Sequence, residues 1–199
     1  MNIDKAARYD RLAPFYDLAI LPTQLVIGRR RRWLLRQAKG RVLEIGIGTA
    51  ATLRLYPPDS NVVGLDVSQR MLERAARRAR GMGRWIPLIR ATADQLPFVD
   101  CSFETVVISL VLCSVADLAT VMTEIKRVLA PGGRILMLEH IRPPGALGAL
   151  FDRLDPFWYR QSCHLNRASV DEIERAGFRI DHQQRWLRGI FAQVVATVE

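Results

Sequence analysis

The sequence predicts a doubly wound α/β fold built on a seven-stranded sheet, mostly parallel, with an antiparallel strand at its carboxyl-terminal end. From residue 41 onward, short apolar runs alternate with stretches of helical periodicity. This alternation is typical of a parallel sheet with helices on both faces. A glycine turn follows the first run directly. The last two strand-like segments are separated by too few residues for a helical crossover, so one of them must run antiparallel to its neighbour.

The predicted elements follow one another in a regular order. Apolar and β-branched runs predict strands at RVLEIGIG (41–48), NVVGLDV (61–67), WIPLIRA (85–91), FETVVISLVL (103–112), GRILMLEHI (133–141), FRIDHQQRW (178–186) and IFAQVVATV (190–198). Helical periodicity predicts helices at GTAATLRLY (48–56), SQRMLERAARRAR (68–80), DLATVMTEIKRVLA (117–130) and VDEIERAG (170–177). We expect Ser68 to cap the helix at 68–80 and Asp117 to cap the helix at 117–130. Pro131-Gly132-Gly133 should end this second helix.

The composition indicates an ordinary globular domain. Hydrophobic residues make up 49% and charged residues 25% of the chain, and no apolar run approaches the roughly 18 residues that span a bilayer. The polar start of the chain does not resemble a secretory signal. Cys101, Cys113 and Cys163 have no paired spacing, so no disulfide framework is expected. We therefore predict a cytoplasmic protein.

The two glycines of the first turn, Gly46 and Gly48, predict a nucleotide-type ligand. A backbone without Cβ atoms lets a ligand approach closely, and a following helix would offer free N–H groups. Gly46-x-Gly48-x-x-Ala51 also fits the dinucleotide fingerprint, so an NAD-dependent oxidoreductase is an alternative. However, the Glu44 carboxylate two residues earlier would repel a pyrophosphate on this turn. It favours a cationic ligand such as S-adenosylmethionine (SAM), which carries an ammonium and a sulfonium group.

A second carboxylate, Asp66, ends the second predicted strand, twenty residues after Gly46. There it can accept hydrogen bonds from both hydroxyls of a ribose, a position that NAD-dependent enzymes use as well. Asp66 therefore indicates an adenosine group without distinguishing the two cofactors. The structural alternatives are that Glu44 caps a neighbouring loop and that Asp66 caps a helix.

Three features together resemble the class I SAM-dependent methyltransferases over residues 41–199: E-x-G-x-G, the Pro-Gly-Gly turn before a strand, and the antiparallel tail. The resemblance implies a Rossmann-like fold, with SAM as cofactor and S-adenosylhomocysteine as product. It places Glu44, Gly46 and Gly48 at the methionine end of SAM, Asp66 at the ribose and Val67 against the adenine.

The segment ATADQLPF (91–98) resembles the loop that covers the adenine edge in this family. The resemblance places the Ala93 amide near the ring and Asp94 beside the cofactor. Ser109 ends the fourth predicted strand, where ligands of open parallel sheets bind, and is expected to contact the cofactor too.

Narrower resemblances point to three kinds of acceptor. Segments similar to membrane-associated thiol methyltransferases are YPPDSNVVGLD (56–66), LVLCSV (110–115), EIKRVLAPGGRILMLEHI (124–141) and SCHLNRASVDEIERAGF (162–178). YDRLAPFYD (9–17) resembles bacterial phosphatidylethanolamine N-methyltransferases and quinone C-methyltransferases. Our leading hypothesis is N-methylation of a phosphatidylethanolamine-type lipid, with S-methylation of a small thiol and C-methylation of a quinone as alternatives.

The chemistry requires alignment of the acceptor and loss of its proton. Methyl transfer from a sulfonium is an in-line displacement, so orientation supplies much of the catalysis. Asp94 corresponds to the proposed base of the thiol-methylating group, and His140 titrates near neutrality. The alternatives are that Asp94 caps a turn and that His140 only fixes a strand end. Cys163 and His164, with His140 or His182, are too sparse for a metal site, and no metal is predicted.

Residues 1–40 are expected to form a helical lid that faces the membrane, in front of a methyltransferase domain at 41–199. Tyr9 and Tyr16 could close over the SAM carboxylate and the acceptor, which gives Tyr9 a cofactor-binding and Tyr16 a catalytic role. The net charge of +9 comes mainly from arginine. We expect peripheral contact with an anionic inner-membrane surface through Arg29, Arg30, Arg31 and Arg32.

The alternative is that these arginines stay in solvent while Leu34 and Leu35 pack on the sheet. The sequence does not favour a nucleic-acid partner, because LCSV stands where a base-pocket motif would follow the fourth strand and aromatic residues for stacking are few. A small lipophilic acceptor is the expected partner of a monomer or homodimer.

Overall fold

A computed structural model describes residues 3–161 and 163–198; Met1, Asn2, Ser162 and Glu199 lie outside the described residues. The predicted seven-stranded sheet is confirmed. Its strands are β1 (Arg41–Ile45), β2 (Asn61–Asp66), β3 (Leu88–Arg90), β4 (Phe103–Ser109), β5 (Leu129–His140), β6 (Phe178–Trp186) and β7 (Phe191–Val198). Their order in the sheet is β3-β2-β1-β4-β5-β7-β6. Strand β7 runs antiparallel to both β5 and β6, as predicted.

The described helices pack against the sheet. They are α1 (Ile3–Leu12), α2 (Tyr16–Ala19), α3 (Leu21–Leu35), α4 (Gln69–Gly81), α5 (Leu118–Val128), α6 (Gly145–Gln161) and α7 (Ser169–Arg175). No helix in this described part of the chain combines the length and the apolar character needed to cross a membrane.

The core lies on both faces of the central strands, because β1 and β4 are buried on both sides and carry consecutive apolar residues. On one face, Phe103 and Val106 pack with the apolar stripe of α5. On the other, Val107 and Leu136 pack with residues that include Leu34 and Leu35 of α3. Each such side chain contributes roughly 1.5–3 kcal/mol. The structure thus shows α3 with Leu34 and Leu35 packed on the sheet, which is the alternative given above for this segment.

The caps predicted at Ser68 and Asp117 are confirmed. The Ser68 hydroxyl accepts a hydrogen bond from the Met71 N–H at 3.1 Å, and the Asp117 carboxylate accepts one from the Ala119 N–H at 3.0 Å. Such caps contribute about 1 kcal/mol each. Helix α5 ends at Val128, before the predicted Pro-Gly-Gly stop, because the backbone is already extended at Leu129.

The predicted helix over residues 48–56 is wrong. Turns and a single 3₁₀-helix, Leu53–Leu55, occupy this segment. Gly46, Gly48 and Ala50 have positive φ angles of 70°, 56° and 55°, and this left-handed backbone does not continue as an α-helix. The turn itself, and no α-helix N-terminus, therefore presents the backbone N–H groups beside β1.

Candidate functional site

Two adjoining cavities lie at the carboxyl ends of the parallel strands, where open α/β sheets bind their ligands. A narrow cleft runs beside the glycine turn under Tyr16; its walls include Glu44, Gly46, Gly48, Asp66 and Ser109. We call it the cofactor cleft. A wider cavity of about 450 Å³ opens next to it and shares Tyr9, Tyr16, Leu110 and Ser114 with the cleft. We call it the acceptor cavity.

The glycine turn is shaped by close contact with the loop after β4. Gly46 donates its N–H to the Leu65 carbonyl at 2.7 Å. A Cβ atom at Gly46 would collide with a methyl group of Val111, whereas one at Gly48 would have room, with Tyr16 Cε1 at 3.9 Å. Gly46 is therefore required by both conformation and space, and Gly48 by conformation alone.

Asp66 lines the cofactor cleft, and its carboxylate is hydrogen-bonded to the backbone on both sides. Its two carboxylate oxygens accept hydrogen bonds from the N–H groups of Gly48 and Ser68, each at 2.9 Å. Burial raises the pKa of Asp66, against the effect of these bonds. A carboxylate oxygen accepts more than one hydrogen bond, so Asp66 can hold the turn and a ribose together.

Glu44 is buried, with 2% of its surface exposed. Its carboxylate accepts hydrogen bonds from the Thr52 hydroxyl at 2.9 and 3.1 Å and from the Tyr56 hydroxyl at 2.9 Å. It thus anchors the loop after β1, in agreement with the structural alternative for this residue, and it also lines the cofactor cleft. Burial raises the pKa of Glu44 to about 7.

Arg31, one of the four arginines predicted to contact lipid, lines the cofactor cleft instead of the protein surface. It is only 6% exposed. Its Nε donates to Ser109 Oγ at 3.1 Å and its Nη1 to Gln24 Oε1 at 2.7 Å. Burial lowers the pKa of Arg31, while the nearby Glu44 opposes that shift. Helical spacing could have revealed this position, because Arg31 stands on the face of α3 that also buries Ile27, Leu34 and Leu35.

Two aspartates attach the N-terminal helices to α4 and to the turns beside β1 and β2. Asp10 accepts hydrogen bonds from the Ser68 hydroxyl at 2.6 Å and from the Arg70 N–H at 3.0 Å. These bonds lower its pKa. Asp17 accepts from the Thr49 hydroxyl at 2.6 Å.

Asp17 also pairs with two arginines of α4, Arg78 at 2.7 Å and Arg74 at 3.2 Å. Burial alone would raise the pKa of Asp17, but the hydrogen bonds from Arg78, Thr49 and Arg74 lower it below its ordinary value. The carboxylate is therefore charged at neutral pH. Tyr9 and Tyr16, each next to one of these aspartates in the chain, both line the cleft, and their rings meet edge to face at 6.5 Å.

The acceptor cavity has mainly apolar walls and a polar floor. Its apolar wall includes Leu12, Ile20, Phe151, Trp158, Leu165 and Phe191, and its polar side chains include Ser114, Cys113, His140 and Cys163. The hydroxyls of Tyr9 and Ser114 are 3.5 Å apart. Burial raises the pKa of the Tyr9 phenol, so this hydroxyl stays neutral at the mouth of the cleft.

His140 lies in this cavity, with its Nε2 3.3 Å from Cys163 Sγ. Burial lowers the pKa of His140, but the bond to Cys163 and nearby negative groups raise it above its ordinary value. The neighbouring Glu139 is fully buried and accepts hydrogen bonds from the N–H groups of Val111 and Leu112. Glu139 thereby fixes the loop between the two cavities, a role that the sequence did not reveal.

The remaining predicted site residues are Val67, Ala93 and Asp94. Val67 is buried against Ala6 and Tyr9, and Ala93 belongs to the core. Neither they nor Asp94 are among the residues that line the cofactor cleft or the acceptor cavity. Their contacts with adenine, and the role of Asp94 as a base, stay predictions.

The family model and the curated relatives of this chain are all described as methyltransferases. Residues 43–137 match a family model described as a methyltransferase domain. The chain is 37% identical over 164 residues to a demethylmenaquinone methyltransferase of Thermus thermophilus, an alignment that covers 75% of this chain and 74% of the relative.

Two further relatives act on other acceptors. A phosphatidylethanolamine N-methyltransferase of Cereibacter sphaeroides is 32% identical, with 79% of each chain covered. A thiol S-methyltransferase of Rattus norvegicus is 33% identical, with 69% of this chain and 59% of the relative covered.

The fold is shared with solved structures. A SAM-dependent methyltransferase from Mesorhizobium loti superposes with a TM-score of 0.68 at 22% identity, covering 86% of this chain and 97% of that one. The sequence matches and the residues of the cleft together favour a SAM-dependent methyltransferase over an NAD-dependent oxidoreductase. The chain belongs to the SAM-dependent methyltransferases.

Proposed function

We propose that this enzyme methylates the amine of a lipophilic acceptor of the phosphatidylethanolamine type at a membrane surface. The observation that carries the proposal is the acceptor cavity, which adjoins the cofactor cleft at Tyr9 and Tyr16 and is walled mainly by apolar side chains. Such a cavity suits an acyl-bearing molecule whose reactive head enters at the polar floor.

The buried charges of the cofactor cleft fit SAM. Arg31 and Glu44 line the same end of the cleft with opposite charges, which matches the carboxylate and the ammonium of a methionine group. We assign Arg31 to the carboxylate, Glu44 to the ammonium and Asp66 to the ribose hydroxyls. When bound, SAM supplies a methyl group on a sulfonium. The protein's own contribution is to orient the acceptor and to exclude water.

Several features of the acceptor cavity favour an amine on a phospholipid. An apolar cavity favours the neutral form of an amine, which is the nucleophilic form. The rings of Tyr9, Tyr16 and Trp158 line the cavity, and aromatic faces stabilise the alkylammonium that each transfer produces. Arg8 also lines the cavity, where its guanidinium can pair with a phosphate.

An exposed apolar surface surrounds the N-terminal helices and α6. Phe15, Leu18 and Leu25 are 69%, 72% and 81% exposed, and Leu154 and Phe157 of α6 are 45% and 68% exposed. Residues of the same helices line the acceptor cavity. Because the chain also has a net charge of +9, we propose that this surface docks on anionic lipid and delivers the acceptor directly into the cavity.

Of the four clustered arginines, the exposed Arg29 and Arg32 are the ones proposed to contact lipid head groups. Arg30 has other partners, since its guanidinium donates to Gln184 and lies over the Trp186 ring at 4.7 Å.

A small thiol is a second candidate acceptor. The described residues that line the acceptor cavity include no Asp or Glu, and a cavity without carboxylates also suits a neutral or anionic nucleophile. A thiol reacts as its thiolate.

A labelled-methyl assay tests the proposal. The protein would be incubated with methyl-labelled SAM and, in separate reactions, phosphatidylethanolamine vesicles, a soluble alkyl thiol or a demethylated naphthoquinone, with phosphatidylcholine vesicles as the control. We expect label in the phosphatidylethanolamine head group. Label confined to the thiol or to the quinone would overturn the amine assignment.

A further inference from the structure

Three metal-binding side chains meet at the floor of the acceptor cavity. Cys113 lies in the turn after β4, His140 at the end of β5, and Cys163 after α6. Their ligand atoms, the two Sγ atoms and one imidazole nitrogen, all lie within 4.8 Å of one another. His140 Nε2 and Cys163 Sγ are 3.3 Å apart.

These separations suit a tetrahedral ion. With Zn–S bonds of about 2.3 Å and Zn–N bonds of about 2.0 Å, neighbouring ligand atoms stand about 3.5–3.8 Å apart. His140 Nε2 and Cys163 Sγ, 3.3 Å apart, already stand close to this spacing, and no separation in the cluster exceeds 4.8 Å. Thiolate and imidazole are also the ligand types that zinc prefers.

The surroundings favour a cation with one open position. Cys113 is only 3% exposed, so it is protected from solvent, yet all three residues line the acceptor cavity. The fully buried Glu139 lies beside His140, and its Oε2 has no hydrogen-bond partner within the described ranges of the chain.

We propose that Cys113 Sγ, Cys163 Sγ and His140 Nε2 bind one zinc-class divalent ion, whose fourth position faces the acceptor cavity. On binding, the two S–H bonds are replaced by two S–metal bonds and both protons pass to solvent. The fourth position takes water or a soft donor atom from the cavity. This site replaces the expectation that the cysteines and histidines are too sparse for a metal, and it does not depend on which acceptor the enzyme uses.

Cobalt binding tests the site without any measure of activity. The full chain would be purified under reducing conditions, treated with a chelator and titrated with Co²⁺. We expect one equivalent of Co²⁺ to produce a sulfur-to-cobalt charge-transfer band in the near ultraviolet, and Zn²⁺ to abolish that band. Cys163→Ser and Cys113→Ser should each weaken Co²⁺ binding by at least about tenfold and reduce the band. His140→Gln should shift the ligand-field bands.

Cys101→Ser is the matched control, because Cys101 is exposed and stands outside the cluster. It should bind Co²⁺ like the unaltered protein, and circular dichroism should show that every variant is folded. The proposal is overturned if the unaltered protein gives no charge-transfer band, or if the band survives when both cluster cysteines are replaced. The proposal is also overturned if Cys113 and Cys163 form a disulfide and the reduced protein does not bind Co²⁺. That result would identify the two cysteines as a redox pair.

Discussion

Arg31 Nε donates a hydrogen bond to Ser109 Oγ at 3.1 Å and thereby joins α3 to the carboxyl end of β4. The same guanidinium lines the cofactor cleft with Glu44. The charged end of the cleft is therefore built from two parts of the chain, the N-terminal helices and the sheet. We therefore expect the N-terminal helices to take part in cofactor binding in addition to covering the site.

Cofactor binding should release a proton from Glu44. Burial raises the pKa of Glu44 to about 7 in the free protein, and an ammonium beside the carboxylate lowers it again. Affinity for S-adenosylhomocysteine should therefore fall as the pH drops from above 7 to below it, by up to about tenfold per pH unit. Calorimetry in two buffers with different ionisation enthalpies measures the released proton directly.

Glu44→Gln serves as the comparison for this prediction. The variant should bind S-adenosylhomocysteine more weakly, by about 1.5–3 kcal/mol for a lost charged hydrogen bond, and its affinity should be flat across the same pH range. Equal proton release by the variant and the unaltered protein would show that another group titrates.

Loss of the Asp17 carboxylate should loosen the N-terminal helices. Asp17→Asn removes the pairing with Arg74 and Arg78, so S-adenosylhomocysteine should dissociate about tenfold faster with little change in its association rate. Stopped-flow fluorescence measures both rates. Because the pKa of Asp17 is lowered, its contribution is present above the ordinary carboxyl range and is lost only as the pH falls through its lowered value. Asp59→Asn, at an exposed position, should leave both rates unchanged.

The two glycines of the turn should differ in their tolerance of a methyl group. Both have positive φ angles, so alanine costs about 1–2 kcal/mol at either position. Only Gly46→Ala also forces a collision with Val111, which adds about 1–3 kcal/mol. Urea unfolding should therefore rank Gly46→Ala as the less stable protein. Equal losses would contradict the close packing of the turn against the loop after β4.

Trp158 should contribute to acceptor binding and not to cofactor binding. It lines the acceptor cavity and lies outside the lining of the cofactor cleft. Trp158→Ala should raise KM for a short-chain, detergent-dispersed acceptor by about tenfold or more, since a large apolar contact is lost, with unchanged affinity for S-adenosylhomocysteine. Phe157→Ala, at an exposed position outside the cavity lining, should leave this KM unchanged. A joint loss of cofactor affinity in Trp158→Ala would refute the separation of the two cavities.

Local patterns in the sequence were sufficient to predict the sheet, the antiparallel tail and the carboxylates of the cleft. Alternating strands and helices follow from periodicity, and Asp66 from its distance to the glycine turn. The helix after β1 was mispredicted because its apolar periodicity gave no sign that Thr52 and Tyr56 bind Glu44.

Two parts of the site depend on long-range contacts that no local pattern contains. The four successive arginines at 29–32 are indistinguishable in sequence, yet among them only Arg31 is buried. Cys113, His140 and Cys163 are far apart along the chain, and only the packing of the loop after β4, the end of β5 and the segment after α6 brings them together.

Paired calorimetry on Arg31→Gln tests most directly the claim that α3 completes the cofactor cleft. The ligands are S-adenosylhomocysteine and 5′-methylthioadenosine, which lacks the amino-acid end, and Arg32→Gln is the matched control. We predict that Arg31→Gln weakens S-adenosylhomocysteine binding by about 1.5–3 kcal/mol and leaves methylthioadenosine binding unchanged, while Arg32→Gln affects neither. If Arg31→Gln binds S-adenosylhomocysteine as tightly as the unaltered protein, Arg31 does not hold the cofactor and our description of the cleft is incorrect.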